Sequence, residues 1–202
     1  MRLKRIFDVA VSGGALLVLL PVMLVVAIVV VLDSGWPVLF AHERVGRSFR
    51  RFRLWKFRTM RRGARGLPIT VPGDVRITRT GRFLRAAKLD ELPQLWNVLR
   101  GDMSLVGPRP EVPGYVEMFH ERYVPVLKLR PGITDSAAIC FRYEDRVLAA
   151  ADDPQAEYTQ HILPDKLALA QEYVRTRTFA RDLGILLRTL WAIAAPPLSG
   201  HR

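Results

Sequence analysis

From Val9 to Leu32 the chain runs 24 residues without a charged side chain. As one straight helix that run reaches about 36 Å, enough to cross a hydrocarbon core of roughly 30 Å. A cleavable leader has a shorter apolar stretch that ends in small residues. This one ends in Leu32-Asp33-Ser34-Gly35-Trp36-Pro37 and is expected to be retained. Pro21 stands near the middle and lacks the N–H of the helical ladder, so a break or kink is predicted there. Each half is then about 16–18 Å long, close to one leaflet. The rest of the chain is less apolar. Pro37-Val38-Leu39-Phe40 and Arg53-Leu54-Trp55-Lys56-Phe57-Arg58 read as short extended or interfacial pieces, with Trp36 and Trp55 suited to a headgroup boundary, and Gly63 to Gly73 as a loop. Phe83 to Leu99 carries apolar residues at helical spacing, interrupted around Leu89–Pro93. Gly101 to Pro113 reads as mostly irregular, Arg130 to Thr134 as a turn, and Leu163 to Ala195 as one or two amphipathic helices stopped by Pro196-Pro197. The expected fold is mostly α with few short strands: a membrane helical hairpin over 1–35 and a small cytoplasmic domain over 36–202.

Charge bears on how the apolar run meets a membrane. Residues 1–65 carry 13 Lys and Arg against Asp8, Asp33 and Glu43, whereas the remainder of this +12 chain is nearly balanced. Arg2, Lys4 and Arg5 precede the apolar run; Arg44, Arg47, Arg50, Arg51, Arg53, Lys56 and Arg58 follow it. The positive-inside tendency puts both flanks in the cytoplasm. A re-entrant helix that enters and leaves one face satisfies both. A kinked single span is the alternative, because spanning helices tolerate a proline. The positive excess points to anionic partners: nucleic acid, phosphorylated substrates or acidic headgroups. A single cysteine, Cys140, excludes an internal disulfide, and four scattered histidines give no zinc-site spacing.

No Walker-type loop, G-x-G-x-x-G or H-E-x-x-H occurs. The densest candidate chemistry lies in Leu89-Asp90-Glu91-Leu92-Pro93-Gln94-Leu95-Trp96-Asn97-Val98-Leu99. Proline is tolerated in a first helical turn, so Pro93 predicts a helix starting near Asp90. Two carboxylates would then stand at a helix N-terminus, where the dipole keeps Asp90 ionised and attracts phosphate. Arg76, Arg79, Arg82, Arg85 and Lys88 precede this block, and Arg109 follows in Pro108-Arg109-Pro110. Arginine forks grip phosphate oxygens. One carboxylate can hold Mg²⁺ and another can attack phosphorus. Spacing alone equally allows Asp90 as an N-cap, Glu91 as a first-turn acid, the arginines as a solvated face and Pro108-Arg109-Pro110 as a rigid turn.

Taken in order, several segments resemble one family. They are Lys4-Arg5-Ile6-Phe7-Asp8 before a proline-broken apolar run, Lys56-Phe57-Arg58-Thr59-Met60, the block from Leu89 to Pro110, and Arg130-Pro131-Gly132-Ile133-Thr134. Together they look like the bacterial sugar transferases, specifically the small monotopic phosphoglycosyl transferases without an extra N-terminal membrane domain. The resemblance implies transfer of a phosphosugar from a nucleotide sugar, with UDP as the nucleotide, to polyprenol phosphate at the cytoplasmic face of the bacterial inner membrane. Both termini would then be cytoplasmic, with membrane phospholipids as the surroundings. It implies that Asp90 is the nucleophile, that Asp90 and Glu91 hold Mg²⁺, and that Lys56, Arg58, Arg85 and Arg109 contact phosphate or substrate. It also implies a re-entrant helix turning at Pro21.

Two departures stand out: Leu20 replaces a serine often found before that proline, and Asp135 to Asp145 follows another branch's pattern, in which Arg142 is a further candidate contact. A membrane-tethered nucleic-acid-binding protein is the competing class, motivated by the arginines of 44–65 interleaved with Phe49, Phe52, Trp55 and Phe57. It leaves the Asp90–Pro110 block without a role, and no nucleic-acid partner is expected.

Overall fold

The computed structural model describes residues 2–64, 66 and 69–194. The apolar run forms α1 (Arg2–Ser34), a 33-residue helix that continues through Pro21. The helix is unbroken at Pro21, where the sequence predicted a break or a kink. A proline deletes a single donor from the ladder, and here the turns on both sides of it are held by packing along one stripe. Asp8, Ser12, Val26 and Val30 are buried on that stripe. Phe7, Leu16, Leu19, Met23 and Ala27 pack beside them against the rest of the molecule. The other side exposes Leu3, Ile6, Leu17, Val18, Leu24, Val25, Ile28 and Leu32.

Both ends of α1 are fastened to the same body. At the start, Asp8 accepts hydrogen bonds from Ser104 Oγ at 2.8 Å and Leu105 N at 3.3 Å. Lys4 pairs with Asp182, and Arg5 donates to the carbonyls of Val98 and Leu99 at 2.6 and 2.9 Å. At the finish, Arg58 Nη2 donates to the carbonyl of Ser34 at 2.7 Å and to that of Gly35.

The two extended pieces expected after α1 form an antiparallel hairpin, longer than the sequence suggested. It consists of β1 (Leu39–Val45) and β2 (Arg51–Phe57), with Phe40 opposite Lys56 and Val45 opposite Arg51. Then come α2 (Arg79–Ala86), a 3₁₀ turn over Leu89–Glu91, and α3 (Gln94–Arg100). Gly101 closes α3 at φ 89°, the left-handed conformation that glycine adopts without a Cβ penalty.

The stretch expected to be irregular contains β3 (Ser104–Val106), and the expected turn contains β4 (Gly132–Thr134); the two pair in parallel. Three-residue strands are too short for an alternation pattern to reveal. The contact is close: a Cβ on Gly132 would lie 2.1 Å from the backbone nitrogen of Gly107. Between these strands lie α4 (Pro113–Met118) and α5 (His120–Val126). After them come α6 (Ser136–Cys140), α7 (Glu144–Ala150), α8 (Pro154–Glu157), a π-helical turn over Tyr158–Ile162, and α9 (Leu163–Thr176). The last described element is α10 (Phe179–Ala194). The two C-terminal amphipathic helices are as expected; Pro196-Pro197, their predicted stop, lies outside the described residues.

The core has three parts. One gathers α4, α5, α7 and α9 around Tyr115, Val126, Leu148 and Leu167. A second joins β2, α3, β3 and α10 through Leu54, Val98, Met103, Val106 and Ile185. The third lies under the second half of α1, where Val26 and Val30 meet Val38, Phe57 and Leu84.

Candidate active site

The carboxylates of Asp90 and Glu91 project from the 3₁₀ turn between α2 and α3. Lys88, just before that turn, is held at φ 57°, an uncommon backbone conformation for a residue with a Cβ. The helix begins at Gln94 rather than at Asp90, and Pro93 occupies its N-cap position. The expected helix start near Asp90 is thereby corrected, and Asp90 does not cap α3 either. Lys56 reaches the pair from β2. Its Nζ lies 2.7 Å from Glu91 Oε1 and 3.9 Å from Asp90 Oδ2. Asn97 of α3 fixes that strand by accepting from Trp55 N at 3.1 Å and donating to the Arg53 carbonyl at 2.8 Å.

Arg109 arrives from the loop after β3, and its Nη2 donates to the same Glu91 Oε1 at 2.8 Å. Parallel pairing puts the segments that follow β3 and β4 at one end, and this explains how Arg109 is held. Asp135, just after β4, accepts the Arg109 backbone N–H at 3.0 Å and caps α6 through Ala138 N at 2.6 Å. Arg85 of α2 is fixed by Thr59, its Nε donating to Oγ1 at 2.8 Å.

The two neighbouring acids have opposite electrostatics. Burial pushes Glu91 up, but the charges of Arg109 and Lys56 outweigh it and hold the carboxyl well below its usual range. Burial raises Asp90 above its usual value, with Glu91 adding to the rise and Lys56 opposing it. The sequence-level argument from a helix dipole predicted stabilised ionisation of Asp90; burial outside the helix reverses that direction. Burial lowers Lys56 and Arg85, whereas Glu91 raises Arg109. The result is one acid locked in an ion-paired frame and one with a raised pKa beside it. Environments that separate a pair in this way commonly separate their roles.

A family model described as bacterial sugar transferase matches residues 1–196. The chain belongs to the bacterial sugar transferase family. It is 37% identical over 192 residues to the UDP-glucose:undecaprenyl-phosphate glucose-1-phosphate transferase of Caulobacter vibrioides, covering 93% of this chain and 68% of that protein. It is 38% identical to the exopolysaccharide production protein PSS of Rhizobium leguminosarum, covering 93% of each. Similarity to the UDP-N-acetylgalactosamine-undecaprenyl-phosphate N-acetylgalactosaminephosphotransferase of Aeromonas hydrophila is 40% over 157 residues, or 75% of this chain but 36% of that longer protein.

Within this sugar transferase chain, Asp90, Glu91, Lys56, Arg85 and Arg109 come together as one group. Two other candidates lie elsewhere. The Arg58 guanidinium is buried at the end of α1, where its hydrogen bonds go to Ser34 and Gly35, so it caps the apolar helix. Arg142 lies between α6 and α7 over the ring of Tyr143, 5.6 Å from its centre.

Sequence reasoning missed three supports: Asp135, Thr59 and Asn97. Asp135 carried a readable signal, an acid three residues before the helical Ala138. The other two act across long sequence separations that no local pattern encodes. The basic 44–65 stretch is partly consumed internally, with Arg44 on Glu111, Arg51 on Glu43 and Lys56 on Glu91.

Among the described residues no cluster of three or more His, Cys, Asp or Glu is arranged to hold a metal. Mg²⁺ characteristically takes one or two carboxylates and completes its shell with water and substrate phosphate. The adjacent Asp90 and Glu91 fit that sparse donor set.

Proposed function

We propose that this chain is a membrane-associated phosphoglycosyl transferase. It takes a sugar phosphate from a UDP-sugar and transfers it to a polyprenol phosphate, leaving polyprenol diphosphate sugar and UMP. The observation that carries this reading is the meeting of Asp90 and Glu91 with Lys56 and Arg109, within reach of the Arg85 charge, in a chain whose relatives are named for sugar-phosphate transfer to undecaprenyl phosphate.

The Asp90 carboxylate attacks the sugar-bearing phosphorus of the donor. An Asp90 oxygen–phosphorus bond forms, the bond to the bridging diphosphate oxygen breaks, and UMP leaves with that oxygen. A phosphate oxygen of the polyprenol phosphate then attacks the same phosphorus and returns Asp90 to a free carboxylate. Arg85 and Arg109 grip phosphate oxygens through each half. Lys56 keeps positive charge 3.9 Å from the attacking carboxylate and holds Glu91 in place. Asp90 and Glu91 would hold Mg²⁺, which neutralises diphosphate charge when bound.

The same reading puts α1 into one leaflet from the cytoplasmic side, with both of its ends on that side. Support comes from the fastening of Lys4, Asp8 and Ser34 to a single charged body. A helix crossing the bilayer upright would drag that body into hydrocarbon. The apolar side chains left exposed along α1 supply a surface for acyl chains.

The test is release of UMP from a panel of UDP-sugars with undecaprenyl phosphate in detergent. One or more sugars should support turnover, and Asp90→Asn should reduce it by at least about 10³-fold, as loss of a nucleophile does. Near-normal turnover of that variant would remove Asp90 from the reaction.

A further inference from the structure

At the far end of the β1–β2 hairpin lies a second basic site. A cavity of about 640 Å³ is lined by Arg47, Arg50, Arg51 and Arg130, with Gly46, Phe52 and Gly101 completing part of its wall. Arg51 and Lys56 stand at opposite ends of β2, about 17 Å apart along the strand. The cavity is thus separate from the Asp90 group.

Its charge is poorly balanced. Arg51 has Glu43 at 3.0 Å. Asp102, the one acid in the lining, is shared with Arg100 at 3.7 Å and Asn97 at 3.3 Å. Arg47 and Arg50 have no side-chain hydrogen bond or ion pair among the described residues. Arg130 and Arg5 cap the end of α3, donating to the carbonyls of Gly101, Val98 and Leu99. Those partners are neutral, so the guanidinium charges remain. Crowding is visible in Arg130, whose proton affinity is lowered by burial and by the nearby charges of Arg5 and Arg47.

The turn presenting Arg47 and Arg50 is well fixed. Ser48 and Phe49 are both held at positive φ, 56° and 59°. Ser48 N donates to the Leu127 carbonyl at 2.7 Å, and Phe49 stacks on His120 at 4.8 Å. Such conformations are costly for residues with a Cβ and persist only where the surroundings enforce them. Like charges gathered by a fixed backbone around open space form a receptor for an anion.

We propose that this cavity binds a phosphate group, as a second anion site distinct from the reaction centre. Guanidinium forks favour phosphate oxygens over a point-like anion. The phosphate can come from a lipid headgroup, since Arg5 of the apolar helix α1 borders the wall near Gly101, or from a free solute.

The test uses the full chain in neutral detergent and counts bound ligands by native mass spectrometry, with inorganic pyrophosphate in one arm and phosphatidylglycerol in the other. Wild type should retain one more ligand than Arg47→Gln/Arg50→Gln. The affinity for that ligand should fall at least about tenfold, equivalent to about 1.4 kcal/mol, because two guanidinium donors are lost. UMP release should stay unchanged. Retention of phosphatidylglycerol against excess pyrophosphate identifies a headgroup site; the reverse preference identifies a site for free phosphate. Glu43→Gln, which frees Arg51 at the rim, should tighten binding, a gain that misfolding cannot produce. Equal ligand counts for wild type and the double variant in both arms would overturn the proposal.

Discussion

At the scale of single residues, two adjacent acids have unlike surroundings. Glu91 spends its charge on Lys56 and Arg109. Asp90 is buried and its proton is held more tightly than usual. If the ionised form of Asp90 is the attacking group, activity must fall as pH falls through its raised pKa. The acid limb of kcat/KM should therefore lie above the pH at which an ordinary aspartate titrates. Lys56 opposes the rise in Asp90, so Lys56→Met should move the limb to still higher pH and reduce the rate. A limb that moves downward or stays in place in that variant would contradict the assigned coupling. The identity of this pair was legible in the sequence, as were Lys56, Arg85 and Arg109. The sign of the Asp90 shift was not, because it depends on a 3₁₀ turn ending before the helix and on burial from distant elements. The placement of Arg58 likewise depends on distant elements. Its place in a basic run gave no hint that it turns inward to cap α1.

At the scale of elements, a helical apolar run, the extended pieces after it and the C-terminal amphipathic helices could be read from the residue pattern; the pairing of β1 with β2 and the strands β3 and β4 could not. That short parallel pair brings the loop carrying Arg109 beside Asp135. It depends on Gly107 and Gly132 letting two backbones approach closely. Gly132→Ala puts a methyl group against backbone that no rotamer change can move. It should destabilise the protein by at least about 1–3 kcal/mol, the usual range for overpacking. Thermal unfolding followed by circular dichroism should show a lower midpoint; an unchanged midpoint would mean the strands can separate freely. Pro21 teaches the opposite lesson. A local rule predicted a break or a kink, yet the helix runs unbroken through Pro21, with tertiary packing holding the stripe on both sides.

At the scale of the whole molecule, basic flanks, exposed apolar helix face and active group belong to one geometry. In the proposed reaction the donor is soluble and the acceptor's chain is not, so the reacting group must work where both can reach it. Fastening both ends of α1 to the same body meets that need if both ends face the cytoplasm. In a Cys140→Ser background, single cysteines at Arg2 and at Ser34 should react with an impermeant maleimide from the same side of sealed inner-membrane vesicles. Reaction from opposite sides would show that α1 crosses the bilayer.

The covalent step can be read directly from the mass of the intact protein. After incubation with an accepted UDP-sugar alone and a rapid acid quench, wild type should gain the mass of one phosphosugar and release a matching amount of UMP. Asp90→Asn should gain none, and polyprenol phosphate should discharge the wild-type adduct. Full turnover with no adduct at any quench time, and no UMP until polyprenol phosphate is added, would mean that the acceptor attacks the donor directly and that Asp90 never carries the group.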